Sequence, residues 1–426
     1  MKNYRVAILG AGPAGLTAAS LFRDYPHIEP VVLEKEERVG GKSWTLKQGP
    51  LIAELGTCYS TRAHRYTDKL MKELGFEQTR LGKQMFDGDD FVAYLKTGGG
   101  APLVVQAVKF FLRRAEFMRR AEKSSPDART LAEAAQPIGQ WLKDHDLPKM
   151  ELFMHRALTV MGYGYVETTP TIQALRWCNW DLVVTGIRNH LYWPNAGWSA
   201  FWEALSKTFE VRTGVDVRYI RRGPDGVHIQ TDAGIERFDA LINAVAPDTF
   251  AKLVEPTPSE KWVADSISWQ GYFSSIVSVD NWFEDWETEG YSESATAEDK
   301  MGRLVAVRTI GVDPDLGGRI YFTGQIPGDY SDDQLKEMLR YEISRRGGDV
   351  KSIIHSRRWK YFPMYESAAI AKGLTAAMRT MQGERATWHT GAAFSHEAVS
   401  NISRYNEDLI PQLVQALSET REMVPA

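Results

Sequence analysis

The sequence predicts an α/β protein built around a parallel strand–helix–strand unit, with a separate strand-rich lobe and a helical lobe. Its N-terminal stretch YRVAILG is a short apolar run closed by glycine, and residues 13–22 then space their apolar side chains as a helix. PVVLE follows as a second buried strand, and near-continuous apolar runs of this kind suit a parallel sheet covered on both faces. From about residue 60 to 200 the spacing is mostly helical, broken at Gly98–Gly100, Ser124–Pro126 and Pro170. VRTGVDVRYI, GVHIQTD and RFDALINAVAP then alternate as strands, and GYFSSIVSVDNW, GRLVAVRTIG and RIYFTGQI form a second strand-rich block. SDDQLKEMLRYEISRRGG is an amphipathic helix, with Ser331 at its start, acids in its first turn and arginines before a glycine stop. ATWHTGA is a last short strand, and a final helix begins near Ser400. Strands that resume after an insertion imply a discontinuous first domain over 1–75, 205–255 and 380–426, with a helical lobe over 76–204 and a strand-rich lobe over 256–379 inserted.

The chain has 426 residues, 43% hydrophobic and 25% charged, an ordinary globular balance with length for two or three lobes. A formal net charge of −4 argues against a nucleic-acid partner. Cys58 and Cys178 are too few for a disulfide framework, so a reducing cytoplasm is the expected location. The first strand opens at Tyr4, which leaves no room for a signal peptide ahead of it. No apolar run reaches the roughly 18 residues that a membrane span needs.

Gly10, Gly12 and Gly15 form GxGxxG between the first strand and the first helix. The first glycine allows the tight turn, the second lets backbone approach a pyrophosphate, and the third permits close helix–strand packing. The helix start offers N–H groups and the positive end of its dipole to the anion. Glu34 closes the second strand about 20 residues on, the place of an acid that accepts hydrogen bonds from ribose hydroxyls. Such a unit serves a nicotinamide or a flavin dinucleotide.

The stretch EKEERVGGKSW then adds Arg38, a second glycine pair at Gly40 and Gly41, and Lys42. A planar guanidinium suits a phosphate, and glycines let the chain pass close to it. Taken alone, these residues also fit a solvated charge run with a glycine turn. The pattern ExxxRxGGK resembles the signature of FAD enzymes of the glutathione-reductase-like and amine-oxidase-like superfamily, which implies a Rossmann-like FAD-binding domain, a sheet-based substrate domain and a helical cap. Val215-Asp216-Val217 with RFDALINAVAP resembles the superfamily's adenosine-end and return strands, and TWHTGAAFSHEAVSNISRYNEDL its C-terminal flavin turn and helix. The resemblance assigns Pro13, Ala14 and Lys35 to the cofactor in the N-terminal block, with Leu55, Gly56 and Thr57 beyond it. It also assigns Val217, Ala246, Gly391, Ala392, Val399 and Ser400. No cysteine lies in the C-terminal turn, so the FAD is expected to be non-covalent.

Within the superfamily, FMHRALTVMGYGYVETTPTIQALRW and WKYFPMYESAAIAKGLTAAMRTMQGERATWHTGAAFSH resemble the FAD-containing polyunsaturated fatty acid double-bond isomerases of propionibacteria. That resemblance implies a hydride taken from the methylene between two double bonds and returned to another carbon. The chain departs from the pattern at the substrate end. Leu81-Gly82-Lys83 stands where the relatives carry an arginine pair for the carboxylate, Gly186 where a phenylalanine guards the pocket, and Lys360 where WKYFP would have an aromatic. A lysine near flavin helps oxidases activate oxygen, so the alternative is an amine-oxidase-like oxidase or desaturase acting on an amine or natural-product intermediate.

Seven large aromatics between Tyr163 and Trp198 suggest an apolar cavity as well as a core. Tyr163, Trp177, Trp193 and Tyr361 are the expected lining of a pocket for a hydrophobic small molecule, with Lys360 beside them as the remaining candidate for the chemistry. Cys58 and Cys178 read as inert core thiols and His389 and His396 as packing residues; no His/Cys cluster has metal-ligand spacing. KFFLRRAEFMRRAEK (109–123) is a basic amphipathic helix that suits either solvent or transient contact with a membrane surface.

Overall fold

The computed structural model describes residues 3–283, 288–312, 315 and 318–422; the expected domain ranges 1–75, 256–379 and 380–426 each contain a few positions outside that set. Five strands form a parallel sheet in the order Thr387–His389, Ala240–Asn243, Tyr4–Leu9, Ile28–Leu33, Glu210–Arg212. The central strand shows why its sequence is apolar throughout. Val6 and Ile8 enter a core shared with the helices Pro13–Leu21, Trp198–Ser206 and Val399–Glu422. Ala7 and Leu9 enter a second core under the antiparallel strands Tyr219–Gly223, Gly226–Thr231 and Gly234–Phe238. Each fully buried aliphatic side chain contributes roughly 1.5–3 kcal/mol, so a one-residue slip of this strand finds no better register.

The last helix is tied to the first. Buried Asn406 donates to the Ala14 carbonyl at 2.9 Å and to Thr17 Oγ1 at 2.7 Å, and Thr390 Oγ1 donates to Asn406 Oδ1 at 2.5 Å. Residues nearly 400 positions apart thus meet beneath one site.

A seven-stranded sheet forms the second lobe, in the order Asp349–Trp359, Tyr272–Asp280, Arg319–Gln325, Leu304–Val312, Thr288–Gly290, Gln84–Phe86, Asp89–Asp90. The helix Asp332–Ser344 covers one face through Leu339 and Ile343, and its Ser331 and Gln334 make the reciprocal cap that the sequence suggested. The other face turns Ile276, Val305 and Phe322 toward the helical lobe.

Four expectations change. VRTGVDVRYI is not one strand: Glu210–Arg212 ends the parallel sheet, the chain turns at Gly214 (φ +66°), and Tyr219–Gly223 opens the antiparallel one. RFDALINAVAP likewise divides at Asp239, whose carboxylate accepts from Arg5 N at 2.8 Å. Residues 78–90, expected in a helical cap, supply strands instead, two of which extend the seven-stranded sheet. Their pattern is too short for helical periodicity to appear, and edge pairing decides their form. Conversely, the helix Ser367–Ala371, expected in the substrate domain, packs on the helix Ala128–Ala135 of the expected cap, while Leu374–Thr380 stays on Pro258–Asp265.

Glu54 joins the hairpin Thr45–Gln48/Leu51–Glu54 to the helix start at Trp198, accepting from Trp198 N at 2.9 Å and from Thr45 Oγ1 at 3.0 Å. Burial pushes its carboxyl up to about 7 from an ordinary 4.5, against the pull of these hydrogen bonds. A raised carboxyl favours the fold below the unfolded value and loses that contribution as pH rises through the folded one. Wild type is therefore expected to lose up to about 3 kcal/mol between about pH 4.5 and pH 8, and Glu54→Gln to lose much less. Urea midpoints of the two proteins across that range measure the difference.

Candidate active site

One cavity of about 360 Å³ runs from the glycine turn of the parallel sheet to the face of the seven-stranded sheet. Its floor answers why the chain carries two glycine clusters. A Cβ on Gly41 (φ +52°) would stand 2.9 Å from the Gly12 Cα, and a Cβ on Gly15 would stand 1.9 Å from the Gly10 carbonyl oxygen. The second cluster packs backbone to backbone on the first, and the helix starting at Pro13 sits directly on the strand. Gly12 has no side-chain cap above it, so the positive end of the helix faces the cavity. Glu34 closes the same wall and accepts from Ala11 N at 2.7 Å and Glu36 N at 2.9 Å. Leu55, Gly56 and Thr57 form another wall; Ala246 and the turn Gly391-Ala392 with Val399, at the second helix start, close the rest.

The remaining cofactor candidates lie elsewhere. Lys35 is solvent-exposed and pairs with Asp216 at 3.3 Å, well outside the cavity wall. Arg38 donates to the Gly41 carbonyl at 2.6 Å and stacks 5.6 Å from Trp44, so it fastens the glycine turn from behind. Gly15 and Gly40 support the floor without reaching its surface, and Val217 packs against the core beneath the antiparallel strands. Ser400 is buried in the first turn of the last helix, off the cavity surface. Lys42 does reach the cavity, but its ammonium is held by Glu397 at 2.6 Å and lies over Trp269 and Tyr361. Glu397 also accepts from Phe362 N at 2.8 Å, and the sequence offered no signal for it, since its partner is 355 positions away.

At the other end, three of the four expected aromatics converge. Tyr163 stacks on Tyr361 with centroids 5.7 Å apart and meets Trp177 edge-on at 5.2 Å. Tyr272, not anticipated, completes the group 5.8 Å from Tyr361. Its ring needs Gly162, where a Cβ would meet it at 2.5 Å, and Gly324, where a Cβ would fall 1.8 Å from its hydroxyl. Burial raises the phenols of Tyr163, Tyr272 and Tyr361 well above their ordinary value, so all three are neutral. His396 lies parallel to Trp177 at 5.1 Å, and burial lowers it to about 3. His389 stands 3.3 Å from Glu260 between the sheet and Phe250, away from the cavity. Cys58 is on the wall with its thiol pushed up to about 11 by burial; Cys178 packs beside Met154.

Trp193 departs from its expected place, and Lys360 keeps its place but is already paired. Trp193 is not on the cavity surface: its strand Tyr192–Pro194 pairs with Gln78–Arg80, and its ring braces the Arg308 guanidinium 5.8 Å away. Lys360 is on the surface, in an ion pair with Asp248 at 2.5 Å and 4.7 Å over Trp269. Two buried arginines, Arg156 and Arg308, were missed. Arg156 belongs to the π-helical turn His155–Val160, whose wider pitch a periodicity search reads as ordinary helix. Among the described residues, no group of His, Cys, Asp or Glu is placed to hold a metal, and no helix is long and apolar enough to cross a membrane.

The glycine floor, the carboxylate at the strand end and two helix starts aimed into one cavity define a dinucleotide-binding flavoenzyme fold with an aromatic chamber attached. The chain belongs to the flavin containing amine oxidoreductase family, whose sequence profile matches residues 13–313. It is a flavin-dependent oxidoreductase with FAD as cofactor, and the residues of the floor fit that dinucleotide. An L-amino-acid oxidase of Mus musculus is 36% identical over 82 residues, 19% of this chain and 13% of that protein. Amine oxidase [flavin-containing] B of Homo sapiens is 35% identical over 79 residues, 18% of this chain and 15% of that protein. The chain thus matches about one seventh of the length of these curated relatives. A CLA-producing fatty acid isomerase from P. acnes shares the fold with a TM-score of 0.80 at 20% identity, over 97% of this chain and 99% of that one. Cyclohexylamine oxidase from Brevibacterium oxydans IH-35A does so with a TM-score of 0.72 at 14% identity, over 98% and 100%.

Glu34→Ala is expected to weaken FAD binding by about 1.5–3 kcal/mol, the range for a hydrogen bond to a charged group. Fluorescence titration of the apoprotein with FAD measures it, and unchanged affinity would remove Glu34 from the ribose site.

Proposed function

We propose that this flavoenzyme takes a hydride from an activated C–H bond of a hydrophobic substrate and returns it to another carbon, as a double-bond isomerase of an unsaturated fatty acid or related lipid-like compound. The observation that carries this is the chamber of Tyr163, Trp177, Tyr272 and Tyr361. Loss of hydride leaves positive charge on carbon, and facing π-systems stabilise it. The three phenols are neutral, so these rings face that cation as uncharged π-systems and carry no phenolate to strip a proton from it. Bound FAD supplies the acceptor and donor of the hydride, and the side chains position the substrate and exclude water. The hydride leaves with its electron pair and comes back with it, so no oxidant and no proton donor is consumed. The buried Cys58 thiol is a poor nucleophile, which supports a non-covalent cofactor, and two unpaired cysteines suit a reducing cytoplasm.

The fold shared with the P. acnes isomerase supports this reading, and the fold shared with cyclohexylamine oxidase supports the second: an oxidase acting on an amine or natural-product intermediate. Lys360 on the cavity wall favours the oxidase; its pairing with Asp248 favours the isomerase, because the ammonium is already neutralised. A diene acid deuterated at the methylene between its double bonds decides. Deuterium retained at a new carbon, without oxygen uptake, is the expected result, and Lys360→Met then leaves product formation largely intact. Deuterium lost with stoichiometric peroxide would establish the oxidase.

The substrate is proposed to arrive from a lipid surface. The helix Leu103–Ala121 exposes Val104, Val105, Val108 and Leu112 beside the exposed ring of Trp180, with Lys109 and Arg113 alongside. Such an apolar stripe edged by cations matches an anionic bilayer. Leu112→Glu is expected to reduce co-sedimentation with phosphatidylserine vesicles by about tenfold or more, and unchanged binding would overturn the proposal.

A further inference from the structure

The cavity wall contains a cation that the protein leaves incompletely satisfied. Arg308, on the strand Leu304–Val312, is 5% exposed. Its Nη1 donates to the Cys58 carbonyl at 3.3 Å, and its Nη2 is buried without any hydrogen-bond partner. Trp193 at 5.8 Å and Phe322 at 5.6 Å brace the guanidinium. No ion pair to Arg308 occurs among the described residues. Arg156 stands beside it: Thr288 is the direct cross-strand partner of Arg308, and Thr288 Oγ1 accepts from Arg156 Nη2 at 2.8 Å. Each nitrogen of Arg156 has a protein partner, with Nη1 on the Met85 carbonyl at 2.9 Å and Nε toward Gln84 Oε1 at 3.3 Å. The nearby acids are otherwise engaged. Glu289 accepts from Gly88 N at 2.8 Å, and Glu54 is committed to Thr45 and Trp198.

An unmatched N–H on a buried guanidinium is costly, and the cost disappears when a ligand supplies the acceptor. We propose that Arg308, with Arg156 behind it, binds the carboxylate of the substrate, and so selects a carboxylic acid with an apolar chain over an amine. A carboxylate presents two oxygens to a guanidinium fork, whereas an ammonium brings only donors and like charge to a wall already holding two cations. The chain then extends from Arg308 toward Tyr272 and Tyr361, which line the same cavity. This rests on the reading of that cavity as the substrate chamber. The site is distinct from Leu81-Gly82-Lys83, where the family resemblance would have put a carboxylate anchor.

The test is calorimetric binding of palmitate, methyl palmitate and hexadecylamine to the FAD-loaded enzyme. Palmitate is expected to bind most tightly, and Arg308→Met to weaken it by about 10- to 100-fold while leaving the ester unchanged. Arg308→Lys, which keeps the charge and loses the fork, is expected to fall between, and it carries the test if Arg308→Met does not retain FAD. Equal binding of acid and ester by the wild type, preference for the amine, or an equal loss of acid and ester in the variants would each overturn the proposal. Palmitate has no double bond and reports no hydride chemistry. Arg308-dependent palmitate binding without turnover of diene acids would therefore sink the isomerase reading alone, and turnover with unselective binding would sink the carboxylate site alone.

Discussion

The contact between Gly12 and Gly41 sets the geometry on which the site depends. Two backbones approach where a single Cβ on Gly41 would stand 2.9 Å from the opposing Cα. That approach brings the first helix start, the Glu34 carboxylate and the chain leading to Lys42 onto one floor. Arg38 locks the turn from behind, and Lys42 reaches across to Glu397 in the C-terminal segment. Backbone does the close work here because it presents N–H groups at a fixed distance, and side chains secure it from positions where their length matters little.

The opposite end of the cavity is shaped by the same economy of space. Gly162 and Gly324 admit the Tyr272 ring, which in turn faces Tyr361. Trp193 and Phe322 hold a guanidinium rather than an isoalloxazine. Within the short interval 163–198, Tyr163 and Trp177 are wall, Trp193 is brace and Trp198 is core.

Much of this was legible in the sequence. The glycine motif, the acid at the strand end and the second glycine pair are local signals, and each lies where its spacing implied. Tyr163, Trp177 and Tyr361 were legible by density and by resemblance. What escaped was long-range pairing. Glu397 is recognisable only through Lys42, Tyr272 only through the glycines that make room for it, and Arg308 only through a buried Nη2 that has no acceptor. Lys35 was misplaced because a charge run does not reveal which cation turns inward. The strands Gln78–Arg80 and Gln84–Phe86 were missed because their partners, Tyr192–Pro194 and Thr288–Gly290, lie more than 100 and some 200 residues further along the chain.

The order of strands in the parallel sheet also fixes when the cofactor site comes into being. Tyr4–Leu9 pairs with Ile28–Leu33 early in synthesis, but Ala240–Asn243 and Thr387–His389 join only after most of the chain has emerged. At roughly 5–20 residues per second, the nascent chain waits tens of seconds with its two-sided apolar strand only half covered. Contacts of such sequence separation also fold slowly once available. The seven-stranded lobe, drawn mostly from 272–359, can close on itself first, and the flavin cradle is assembled around it last. Dinucleotide capture is therefore a late event in the life of each molecule, because the last parallel strand and the final helix that docks on Pro13–Leu21 are the last parts of the chain to emerge.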